Sequence, residues 1–181
     1  MAIWKMYSKH KKELLTQRRP AMTTNSLMMV SERSPQNPHI RLHAGAIFNE
    51  ARGRAIFGNL KALVLGSLAK RAMPSLSSRL SGRELAGRHE LGQRTIEIER
   101  IVGSESRVAG FDRHFSPLSE STRERWVSIA ALCLNDIGLP AVDLIQVGEE
   151  YYVRDGHHRV SVARALGWAF IDARITKLEL K

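Results

Sequence analysis

The densest grouping of chemically capable side chains in the sequence is Asp155-Gly-His-His-Arg159, which stands between a strand-like Tyr151-Tyr-Val-Arg154 and a helix-like run from Val160 to Leu166. A strand-to-helix turn of this kind aims unpaired N–H groups and the positive end of a helix dipole at one point, a setting that favours phosphate or another anion. Within it Arg159 is a candidate bidentate phosphate donor. His157 and His158 are candidate donors whose charge can switch near neutral pH, and Gly156 lets the backbone come close to a ligand. A plainer reading fits the same residues: Asp155 caps the helix, one histidine packs inward, and Arg159 pairs with a carboxylate. Sequence alone leaves both open. Metal binding by the histidines is not expected, because adjacent side chains diverge and no His-x3-His or Cys pair accompanies them.

The elements that must position this turn are legible around it. Thr95-Ile-Glu-Ile-Glu alternates apolar and polar residues, which predicts a half-buried strand running into residues 100–102, followed by a loop over Gly103 to Arg107. Ser121-Thr-Arg-Glu124 reads as a capping box opening a helix. Trp126, Ile129, Ala130, Cys133, Leu134 and Ile137 share one apolar face of that helix, and Gly138 with Pro140 provides its stop. Cys133 sits on the buried stripe and reads as a small hydrophobe rather than a nucleophile. Strands over residues 141–147 and 151–154 joined at Gly148-Glu-Glu150 form a hairpin. A short helix ending at Gly167 and a last strand over 169–175 complete the order β, α, β, β, α, β. That order predicts a small α+β domain with a mixed sheet and flanking helices over residues 95–181.

Upstream the text changes character. Residues 1–38 are poor in periodicity and predict a disordered basic tail ending at Ser34-Pro-Gln-Asn-Pro38. Residues 39–94 predict a basic helical extension over about 40–73, then a Ser/Gly/Arg-rich connection over 74–92. Charge follows the same division. The chain of 181 residues carries 28 Lys plus Arg against 18 Asp plus Glu, a net +10. Residues 1–94 hold 17 basic and 5 acidic residues (+12), and residues 95–181 hold 11 and 13 (−2). The basic helix could lie on nucleic acid, on anionic lipid, or on an acidic face of its own domain.

A single cysteine excludes disulfide-rich scaffolds and Cys-rich zinc modules. The start lacks the apolar core of a signal peptide and no apolar run is long enough to span a bilayer, so a cytoplasmic protein is expected.

Residues 96–175 resemble the ParB/sulfiredoxin superfamily. The resemblance rests on the opening strand and loop IERIVGSESR, the capped helix, the hairpin VDLIQVGEEYYV, the turn DGHHR and the helix VSVARALG. It implies a nucleotide and phosphate site between the opening loop and the turn, with Gly156, His158 and Arg159 on the phosphate-binding turn and Arg107 on the arginine of the opening loop. His157 stands where sulfiredoxins carry their catalytic cysteine, which removes thiolate chemistry. ParB partition proteins continue into a helix-turn-helix domain. Here the sequence stops at Lys181, so nucleic-acid contact is expected only from the basic first half, without sequence preference. Free-serine kinases of the same fold place a catalytic Glu in the opening loop, where Glu105 lies here.

The expectation is therefore a module binding CTP or ATP with Mg2+, or nucleic-acid phosphate, through Arg107, Asp155, Gly156, His157, His158 and Arg159, with a basic arm for DNA. The alternative is a phosphotransferase or nuclease with Glu105 and His157 as catalytic groups. A third reading is a structural or interaction domain whose turn is only a turn.

Overall fold

In a computed structural model the described residues are 36–67, 72–106 and 109–181. The tail expected over residues 1–38 and the position of Arg107 fall almost wholly outside them. The described residues are α+β, with a five-stranded mixed sheet and four helices in the order α1 (Pro38–Val64), α2 (Leu76–Leu80), β1 (Leu85–Glu97), β2 (Ile101–Ser104), α3 (Arg123–Leu134), β3 (Val142–Val147), β4 (Glu150–Asp155), α4 (His157–Ala165) and β5 (Phe170–Leu180). Short 3-10 turns occupy Ile98–Arg100 and Glu120–Thr122.

The strands are ordered β1-β5-β3-β4-β2, with β3 at the centre. β3 pairs antiparallel with β4 and parallel with β5, while β2 runs parallel to β4 along one edge. Alternation along β3 serves two faces. Val142 and Leu144 pack with Val160 and Ala163 of α4, whereas Ile145 and Val147 pack with Leu76 of α2. A further layer joins α1 to α3 and α4 through Ala44, Phe48, Trp126, Val127, Ala130 and Val162.

Residues 38–64 and 74–97 thus belong to the same compact unit as the rest of the fold, Pro35–Lys181. Three local expectations are corrected. The connection expected over 74–92 is α2 plus most of a 13-residue β1. Its first ten residues are exposed or half-exposed and carry no alternation, so pairing with β5 makes the strand, with bulges at Leu85/Gly87 and Glu90/Gly92 that follow the glycines. The capping box does not form: Thr122 precedes α3 without a side-chain cap, and Ser119 accepts from the Ser121 N–H to start the 3-10 turn. Glu124 instead meets Arg41 of α1 at 2.5 Å. Finally, α1 stops at Val64 and α3 at Leu134, each in a Schellman motif, with Gly66 (φ 63°) and Asp136 (φ 57°) in the left-handed position.

Several cations of α1 and α2 are spent on carboxylates of their own domain. Arg52 reaches Glu120 at 3.1 Å and Arg79 reaches Glu150 at 2.9 Å, alongside the Arg41–Glu124 pair. This is the third of the uses the sequence left open for the basic helix.

Candidate functional site

β2 and β4 are parallel neighbours, with Ser104 opposite Val153, so the loop after β2 and the start of α4 emerge side by side. The Glu105 N–H continues the pairing to the Val153 carbonyl at 2.9 Å. Crevices at the carboxyl ends of parallel strands, where a helix N-terminus opens beside a loop, are where open α/β sheets place their ligands. The first three N–H groups of α4 have no partner within the helix, and they face this end.

His157 and His158 occupy the first two positions of α4. His157 Nε2 lies 2.7 Å from Ser104 Oγ, and the serine hydroxyl donates to the Val153 carbonyl at 3.2 Å. With the hydroxyl proton so placed, Nε2 donates to Oγ and Nδ1 is left as the ring's acceptor. Ser104 is fully buried, which excludes it as a nucleophile. Phenylalanines of the loop before α3 pack on both imidazoles: Phe115 stacks on His157 at 6.4 Å between centroids, and Phe111 meets His158 edge-on at 5.1 Å. Burial lowers the pKa of both histidines. Asp155 partly opposes this for His157, and Arg125 reinforces it for His158. Both are neutral at pH 7 and offer hydrogen bonds rather than charge.

A pH prediction follows from the sign of those shifts. A histidine whose folded pKa lies below its unfolded value near 6.5 contributes stability that is complete above about pH 6.5 and is lost as pH falls toward the depressed folded value. Urea midpoints are expected to fall between about pH 7 and pH 5, and more shallowly in His157→Gln/His158→Gln. An unchanged slope in the double variant would assign the acid sensitivity to other groups.

Arg159 is engaged internally. Its guanidinium pairs with Asp155 one turn back and donates to the carbonyls of Pro140 at 2.8 Å and Ala141 at 2.7 Å. It thereby ties α4 to the entry of β3. Neither Asp155 nor any other side chain caps α4. The N-cap residue is Gly156, in a left-handed conformation with φ 100°. A Cβ on Gly156 would lie 2.7 Å from Cγ1 of Val142, so the close approach that needs this glycine is that of the β3 side chain. Of the other expected site residues, Glu105 pairs with Arg154 at 3.2 Å beside the turn, and Arg107 lies outside the described residues.

The loop before α3 contributes residues that sequence reading passed over. Asp112 is buried, and its carboxylate accepts from the backbone N–H groups of His114 and Ser116, both at 2.9 Å. It holds Phe115 in a left-handed conformation (φ 60°), fully buried between His157 and Arg164, whose guanidinium lies 4.9 Å from the ring centroid. A bulky residue in that region stores about 1 to 3 kcal/mol of strain, a frequent mark of loops that shape a site. The spacing of Asp112 and Ser116 was the only available signal, an aspartate beginning a turn.

Concave surface lies on the far side of Phe115. A cavity of about 310 Å³ opens between α1, α4 and residues 112–117, and a cleft of about 820 Å³ adjoins it, the two sharing His114 and Arg164. The turn Asp155 to Arg159 lines neither. Burial pushes the Cys133 thiol up to about 11, which keeps it protonated and inert. Among the described residues no three His, Cys, Asp or Glu side chains group to hold a metal ion, and no helix is long and apolar enough to cross a membrane.

The chain matches no protein-family model, no curated protein and no solved structure.

Proposed function

We propose that the chain is a ParB-like module that binds phosphate at the first turn of α4, as part of CTP or ATP with Mg2+ or of a nucleic acid. Its basic N-terminal half then adds sequence-independent DNA contact. The observation that carries this reading is the adjacency of the β2 loop and the α4 N-terminus, joined by the 2.7 Å contact between Ser104 and His157. Unpaired N–H groups and the helix dipole converge there, with neutral His158 as a further donor while the ring N–H of His157 is engaged by Ser104, enough to bind a dianion without a dedicated guanidinium. Arg159 enters as a positioning residue that fixes the turn. Glu105, held beside the turn by Arg154, is the group available as a base if the bound nucleotide reacts.

The test is equilibrium binding of labelled CTP and ATP with Mg2+, and of a short DNA duplex, at about 50 and 200 mM salt. The parent protein is expected to bind at low salt. DNA affinity should fall steeply with salt, and nucleotide affinity should drop about tenfold or more in His158→Ala, the loss expected for one hydrogen bond to a charged ligand. Absence of binding by all three ligands at low salt removes the proposal.

One observation favours the structural reading instead: three internal acceptors already occupy Arg159. That reading expects Arg159→Ala to lose stability with no ligand effect at all. A catalytic role would show as turnover lost in Glu105→Gln with nucleotide binding kept.

A further inference from the structure

The last three turns of α1 present an apolar face that no described residue covers. Among the described residues, six of the ten exposed large hydrophobic residues fall between positions 56 and 65, among them Phe57 at 72%, Leu60 at 57% and Val64 at 79% exposure. At about 100° per residue, Ile56, Phe57, Leu60, Leu63 and Val64 span an arc of roughly 120°, centred about 150° from the stripe of Ala44, Phe48, Ala51, Ala55 and Ala62. That second stripe is the buried one. The helix is therefore two-faced: one side packs into the domain, and the other is a convex apolar ridge with Lys61 near its edge. Contiguous exposed apolar surface of this kind marks an interaction site.

Charge identifies the partner. From residue 51 to residue 83 the sequence contains seven Lys or Arg and no Asp or Glu, and although Arg52, Arg54 and Arg79 pair with carboxylates from outside that stretch, Lys61 beside the ridge is exposed. Two copies of the ridge would bring cation against cation, and a run of about nine residues falls short of the three to four heptads over which helices pair as coiled coils. A groove in an acidic protein would meet the ridge alone. The cations, however, are spread along the helix and well beyond it, which suits a continuous anionic plane. An apolar face with flanking lysine and arginine is the composition of a helix lying in a membrane interface.

We propose that the C-terminal part of α1 is a surface anchor for anionic membranes, with Phe57, Leu60 and Val64 seated at the boundary of headgroups and acyl chains and Lys61 at headgroup level. The anchor is one-sided, because the opposite face of the helix is committed to the domain. This reading stands independently of the phosphate site at α4.

The full chain would be sedimented with vesicles of phosphatidylcholine alone and with about 30% phosphatidylglycerol added, an anionic lipid whose surface charge attracts basic segments. Binding is expected to the anionic vesicles only. Phe57→Gln/Leu60→Gln, which keeps every charge and alters only exposed positions, is expected to weaken it about tenfold or more. Phe57→Trp should show a blue-shifted emission with the same vesicles. Equal binding by the double variant would overturn the proposal in favour of plain electrostatic adsorption. Failure to bind vesicles would also overturn it. A concentration-dependent dimer abolished by the double variant would then assign the ridge to a second copy, and capture of an acidic amphipathic helical peptide would assign it to a protein groove.

Discussion

Trp126→Ala is expected to lower the stability of the protein by about 3 to 5 kcal/mol, the range for removing a buried aromatic side chain. Trp126 is fully buried and packs edge-on against Phe48 of α1, with ring centroids 5.5 Å apart. Its Nε1–H donates to Ser161 Oγ of α4 at 2.8 Å. One side chain of α3 therefore holds both other helices of that layer, and the truncation opens a cavity while it removes the partner of a buried hydroxyl. For a urea m-value near 2 kcal/mol/M the midpoint would fall by about 2 M. Two companion variants separate the contributions. Trp126→Phe keeps most of the apolar contact and leaves the Ser161 hydroxyl unpartnered, at about 1 to 3 kcal/mol. Adding Ser161→Ala should recover part of that loss, since removing both partners of a buried hydrogen bond costs less than removing one. If Trp126→Ala and Trp126→Phe were equally mild, α1 would be held by something other than this layer.

The contrast between Trp126 and β1 shows what a sequence can transmit. Trp126, Ala130 and Cys133 announce their burial because a helix with one apolar face repeats at a fixed spacing whatever it packs against. The hairpin of β3 and β4 is equally local: a glycine turn between two apolar runs. Residues 85–94 carry no such period. Their strand exists because β5 offers its edge, as in the pairs His89↔Lys177 and Arg94↔Ala173, and no local rule contains that information. The same holds for Glu124, whose capping geometry is plausible in isolation and loses to Arg41, 83 residues away in the chain. At the candidate site the residue types were legible and their partners were not. Arg159 reads either as a phosphate donor or as the partner of a carboxylate until Asp155 and the carbonyls of Pro140 and Ala141 are seen to hold it, and the loop bearing Phe111 and Phe115 becomes part of the site only once the chain has folded over α4.

The net charge also changes meaning in three dimensions. An excess of +12 in the first half suggests a free arm. Part of that excess is matched by Glu120, Glu124 and Glu150 of the domain it packs on. Exposed pairs of this kind are worth about 0 to 1 kcal/mol each, so the layer of buried side chains rather than the ion pairs decides that α1 stays docked. The pairs orient the helix and leave the apolar ridge of its far end uncovered by the described residues, with Lys61 exposed beside it.

Gly156→Ala is expected to cost about 2 to 6 kcal/mol, the sum of a left-handed backbone strain of about 1 to 3 and an overpacking term of similar size. Against a total stability of about 5 to 15 kcal/mol this is a large fraction. The strain follows from φ 100°, which side-chain-bearing residues rarely adopt, and the overpacking from a Cβ placed 2.7 Å from Val142 Cγ1. Val142 is fully buried on the central strand and cannot retreat. The two components separate in a double-mutant cycle. Val142→Ala removes the steric obstacle and not the backbone strain, so the pair Val142→Ala/Gly156→Ala should be less destabilised than the sum of the single variants by about 1 to 3 kcal/mol. Strict additivity would mean that Val142 is not the obstacle. Because Gly156 sets the direction in which the N–H groups of His157 and His158 point, the cycle also has a functional reading. If phosphate binds at the first turn of α4, the double variant, though folded, should bind it more weakly than the parent, whereas a turn with only a structural role would recover stability and have no affinity to lose.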